Sequence, residues 1–115
     1  KALKLLHAKT GAAIARHVYG VDDEVYQAIL YHTTGRANMT LLEKILYLAD
    51  YIEPSREFAN DPDVVRLRET VYEDLDRGLL LGLTMTVTEM EGMGNPVHHD
   101  TLDARNDLIE KGVTL

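Results

Sequence analysis

The chain has 115 residues, of which 45% are apolar and 27% charged, with a formal net charge of −7 and no cysteine. That length suits one small domain, residues 1–115, with a single core, and the missing cysteines exclude a disulfide framework and a Cys-based zinc site. No apolar run reaches the ~20 residues of a membrane span, no signal peptide is visible, and the acidic balance argues against a nucleic-acid-binding face.

A cytoplasmic enzyme or interaction module fits this composition. A small phosphorylated ligand stays open, because bound metal ions reverse the local field. The first residue is Lys1 rather than Met, so a chain lacking its natural N-terminus is expected.

The periodicity predicts an all-α protein. A first helix covers roughly Ala2 to His17 and stops at Gly20, a residue suited to a helix C-terminus. Asp22 or Asp23 caps a second helix that runs to about Thr33. Thr40 and Glu43 make a T-x-x-E capping box for a third, Leu41 to Ile52, which Pro54 closes. Asp61-Pro62 starts a fourth that ends near Leu75, with a fifth over about Arg77 to Met90 that is either separate or continuous with it. Gly92, Gly94 and Pro96 break the chain before a final helix from near Thr101 to Gly112.

Three polar side chains fall on inward or edge positions of successive helices. His32 extends the line Val25, Ala28, Ile29 in the last turn of the second helix. The simpler reading is a histidine that caps a carbonyl and complements the helix dipole. His7 shares a line with Leu3, Gly11 and Ile14, where a satisfied core histidine is the simpler reading. Asp50 lies at the edge of the apolar face formed by Leu41, Leu42, Ile45, Leu46, Ala49 and Ile52. It also belongs to an acidic line with Glu43 and Glu53, which reads equally as a solvated stripe. Buried groups of this kind cost free energy unless paired or metal-bound. Their convergence makes His7, His32 and Asp50 a candidate ligand set, and imidazole with carboxylate suits iron, manganese or zinc.

Arg36 and Arg56 each follow a helix end just past a candidate ligand, where they reach a metal-held phosphate or simply lie in solvated loops. His98-His99-Asp100 contains the literal His-Asp dipeptide, but its place before a helix assigns it a structural role, with Asp100 or Thr101 as N-cap. His17 reads as an exposed helix-end residue.

The blocks YHTTGR (Tyr31–Arg36) and LLEKILYLADYIEPSR (Leu41–Arg56), with LLHAKTGA (Leu5–Ala12) and YEDLDRGLLLGL (Tyr72–Leu83), resemble the YqeK family of bacterial HD-domain phosphohydrolases. The resemblance covers nearly the whole chain. It implies an HD-domain-like helical bundle that hydrolyses symmetrical dinucleoside tetraphosphates, notably diadenosine tetraphosphate to two ADP. It implies two divalent metal ions, iron or in its place manganese. By position His7 and His32 resemble the two later histidines of the family pattern and Asp50 its closing aspartate, which has the catalytic role. Thr33, Gly35, Arg36 and Arg56 are then substrate-binding.

The family's first histidine and its His-Asp pair are expected ahead of residue 1, so this chain resembles the C-terminal part of such a domain, with the N-terminal helices missing. Alone it is expected to bind metal weakly, to be inactive and to expose apolar faces that invite self-association, a homodimer included. The implied partner is a nucleotide substrate, not nucleic acid or membrane. Two alternatives stand beside this reading. One is an HD phosphohydrolase acting on another nucleotide, and the other a non-catalytic helical interaction module.

Overall fold

A computed structural model describes residues 2–52 and 61–115, with side chains from residue 6 onward. The described residues form six helices: α1 (Ala2–Tyr19), α2 (Asp23–Tyr31), α3 (Leu41–Ile52), α4 (Pro62–Glu73), α5 (Leu75–Gly92) and α6 (His99–Glu110). No strand occurs among them, and no helix is long and apolar enough to cross a membrane. The all-α expectation holds.

The caps explain most boundaries. Asp22 accepts from the N–H of Val25 and starts α2, and Asp61 with Pro62 behind it starts α4. One residue separates α4 from α5. Asp74 is extended, at φ −155° and ψ 112°, and its carboxylate accepts from the N–H of Arg77. It thus ends one helix and caps the next, which decides between a continuous and a broken helix. The break folds the two helices together so closely that a Cβ on Gly78 would lie 2.5 Å from Val71 Cγ2. Only glycine fits that crossing.

α5 is the central element, packed by α3, α4 and α6. Leu79 and Leu83 from α5, Leu48 from α3 and Leu67 from α4 are almost wholly buried and centre the core. α2 packs on α3, and among the described elements α1 packs on α2 alone.

Two expected faces are rotated. On α3 the buried side chains are Glu43, Tyr47 and Leu48, while Leu41, Ile45 and Ala49, placed on the apolar face by the sequence, are exposed. On α1 the inward residues are Ala8 and Ala12. His7 and Ile14 are exposed and the line through His7 is not a core line. Small residues let α1 approach α2 closely, and packing chose that face over the larger apolar side chains.

Glu43 follows from the same rotation. Its N–H donates to Thr40 Oγ1 at 3.2 Å, half of the expected capping box. Its carboxylate, 1% exposed, instead accepts two hydrogen bonds of 2.7 Å from Arg36 Nε and Nη2. This buried bidentate pair ties the turn after α2 to the first turn of α3.

Candidate active site

A cleft of about 830 Å³ runs between the end of α2, the C-terminal half of α3, the start of α4, α5 and the start of α6. His32, Thr33 and Asp50 lie on its wall. Leu81 and Met85 contribute apolar lining.

His32 is half-buried and ends α2 as its C-cap. Its Nδ1 sits 2.6 Å from the carbonyl oxygen of Ile29. In the neutral ring that contact requires the proton on Nδ1, which leaves the Nε2 lone pair as the acceptor or ligand atom. The carbonyl-capping reading and the ligand reading of this histidine therefore coexist, each on its own nitrogen. An imidazole steered in this way by a backbone carbonyl is the usual arrangement of a metal-bound histidine. Asp50 is exposed and shares the wall with it. Asp61, Asp63 and Glu89 also line the cleft, and among the described residues Arg66 is the one arginine on its wall. A phosphate chain entering so acidic a space needs bound cations, so the donor set fits a divalent metal.

The other expected residues are placed differently. His7 is exposed on α1 and is not on the wall of this cleft. Arg36 is committed to Glu43, with its guanidinium 4.8 Å from the centre of the Tyr31 ring. The hydrogen bond to Glu43 raises its pKa above the ordinary guanidinium value. It lines a separate small cavity of about 130 Å³ with Lys44 and Lys111, whose ammonium groups are paired to Asp76 and Asp107. Gly35 has φ 72°, closes the turn through its N–H to Tyr31 O, and packs where a Cβ would meet Ala104 and Leu83 at 3.4 Å. Its place is a left-handed turn under close packing. Arg56 and Pro54 lie outside the described residues.

Three features of the cleft have no signal in the local sequence pattern. Tyr47 donates or accepts a 3.1 Å hydrogen bond with Thr86 at the wall, and burial pushes the Tyr47 phenol well up, so it stays protonated. Thr101, expected as a possible helix cap, is buried and donates to the carbonyl of Thr34 at 2.8 Å. This bond ties the start of α6 to the turn that carries His32. The N-cap of α6 is neither Asp100 nor Thr101 but His98, whose Nδ1 accepts from the N–H of Asp100 at 3.1 Å. His98 also lines the cleft. Histidine is not among the usual caps, so one-dimensional reasoning had no reason to choose it.

Among the described residues, His98, His99 and Asp100 form the one group of three ligating side chains whose donor atoms lie within 4.8 Å of one another. The group is internally paired, with His99 Nε2 3.2 Å from Asp100 Oδ1 and the His98 and His99 rings stacked at 4.7 Å.

Residues 1–55 match the family model described as HD domain, a stretch that includes His7, His32 and Asp50. The chain is 46% identical over 107 residues to a symmetrical bis(5'-nucleosyl)-tetraphosphatase of Halalkalibacterium halodurans, covering 92% of this chain and 56% of that protein. It is 42% identical, with the same coverage, to the protein of that description from Bacillus subtilis. A crystal structure from Clostridium acetobutylicum, described as a predicted HD superfamily hydrolase involved in NAD metabolism, superposes with a TM-score of 0.83 at 46% identity, covering 91% of this chain and 55% of that one. The chain spans about half the length of the curated relatives it matches. Divalent metals belong to the chemistry of HD-domain hydrolases, and a His-His-Asp group is present here. In both sequence and helical architecture the chain is similar to HD-domain hydrolases over about half of their length.

Proposed function

We propose that this chain forms part of a metal-dependent hydrolase of symmetrical dinucleoside tetraphosphates, which cleaves diadenosine tetraphosphate to two ADP. The observation that carries the reading is that His32 and Asp50 share one cleft wall, with the His32 ring held through Nδ1 so that the Nε2 lone pair remains available to a metal. The naming of the Halalkalibacterium and Bacillus relatives supports the substrate class.

His32 and Asp50 would hold metal from this chain. His7 joins them by the resemblance alone. Two divalent ions, iron with manganese as substitute, would supply Lewis-acid activation of water and charge neutralisation on the phosphates. The chain's own contribution is orientation. The Ile29 carbonyl sets the His32 ring, and the Arg36–Glu43 pair holds the α2–α3 turn. Leu81 and Met85 add apolar lining to the cleft. Thr33 on the wall is a candidate hydrogen-bond donor to a phosphate oxygen, whereas Arg36 and Gly35 support the substrate indirectly through the turn. A cytoplasmic setting and a second copy as partner complete the reading.

The test uses a protein that carries this chain within the full length of its relatives, supplied with ferrous or manganous ion. It should release two ADP from diadenosine tetraphosphate, and His32→Ala should abolish the release. Release that survives His32→Ala, or faster turnover of another nucleotide in a substrate panel, would refute the assignment.

A further inference from the structure

His98 is the one cleft histidine that the proposed function leaves unused. Its Nδ1 accepts the Asp100 N–H at 3.1 Å, and the carboxylate Oδ2 of Asp100 lies 3.6 Å from the same nitrogen. With Nδ1 as acceptor, the neutral ring carries its proton on Nε2. This is the reverse of His32, whose Nδ1 faces a carbonyl. The two histidines of one cleft are thus held in opposite tautomers, His32 with a lone pair on Nε2 and His98 with an N–H there. The first suits a cation and the second an acceptor oxygen.

Among the described residues no protein group engages His98 Nε2, and the side chain is 36% exposed. The ring is not adrift. It stacks on His99 at 4.7 Å, and its helix is fastened to the His32 turn by the buried Thr101–Thr34 hydrogen bond of 2.8 Å. That bond joins the start of the helix that His98 caps to the turn that carries His32.

The geometry points to His98 as a substrate-contacting residue, whose Nε2–H donates to a phosphate oxygen of a nucleotide bound in the cleft. The inference rests on the proposed nucleotide chemistry of this site. The cleft wall is acidic, with Asp50, Asp61, Asp63 and Glu89, so a donor there that is neutral and oriented by its own cap binds an anionic oxygen without adding to the ligand set for cations. Cap and contact are separate jobs of one ring, and they come apart on mutation.

His98→Asn keeps a side-chain oxygen that caps the helix but cannot reach as the ring does, and His98→Ala removes both. In the protein of full relative length, titration with ADP in magnesium should show His98→Asn binding roughly tenfold more weakly, the loss of one hydrogen bond to a charged acceptor. Its thermal midpoint should match that of the unmutated protein, while His98→Ala should bind as weakly and melt lower. With diadenosine tetraphosphate the His98→Asn defect should fall mainly on KM. ADP affinity unchanged in His98→Asn would overturn the inference, as would an unmutated protein that binds no ADP. Because ADP binding is read without turnover, failure of the proposed hydrolysis leaves this result separately legible.

Discussion

The Arg36–Glu43 pair offers the sharpest test of how this fold supports its site. The Glu43 carboxylate is 1% exposed, whereas the Arg36 side chain is 32% exposed. The two partners are therefore unequal, and their deletions should be unequal too. Arg36→Ala strands a charge in the interior. Removing one partner of a buried pair costs about 3–5 kcal/mol, and because the guanidinium is partly hydrated the lower end, about 3 kcal/mol, applies here. Glu43→Gln keeps the shape and leaves a cation that water partly reaches, so about 1–1.5 kcal/mol is expected. The double replacement Arg36→Met with Glu43→Leu should recover most of the loss, since an apolar pair of similar volume has no desolvation penalty. Urea unfolding at neutral pH measures all three, with an unchanged denaturant slope as the check on two-state behaviour. Equal costs for the two single changes, or a double replacement that recovers none of the loss, would show that the pair is not the buried clamp described.

Thr101→Val should cost about 1–3 kcal/mol, because it leaves the Thr34 carbonyl without its buried donor, and Thr101→Ser should restore most of it in thermal unfolding. Gly78→Ala forces a Cβ to within 2.8 Å of the Val71 backbone. A loss of about 1–3 kcal/mol or more in a denaturant series is expected, and a neutral result would contradict the close α4–α5 crossing. The Asp107 carboxylate is held below the usual range, first by its hydrogen bond from Lys111 and then by the N–H of Asn38. Its contribution is thus complete above the ordinary value of about 3.9 and lost as pH falls through the lowered native value. Asp107→Asn should lower the unfolding midpoint at neutral pH and flatten its acid limb, so that the two proteins converge at low pH.

Helix existence was legible because it is a local property. Asp22, Asp61 and the alternation of apolar positions act within one or two turns, and the helices they announce are present. The unbroken or broken state of α4 and α5 was not decided locally, since Asp74 caps in both directions only if the two helices fold back on each other. The ligand candidates divide in the same way. His32 reached the cleft because its position at the end of α2 and its capping contact both lie within one turn. His7 depended on which face of α1 turns inward, and the alanines took that face.

The sequence by itself determined an all-α chain without cysteine, the caps that divide it, and the blocks that resemble HD-domain proteins. Tertiary structure alone decided that Glu43 is buried against Arg36, that His98 rather than Asp100 caps α6, and that His98 and His32 share a cleft with opposed tautomers. Periodicity records how apolar each face is. It does not record which neighbour a face meets, and hydrogen bonds between turns 67 residues apart, such as Thr101 to Thr34, have no trace in local pattern.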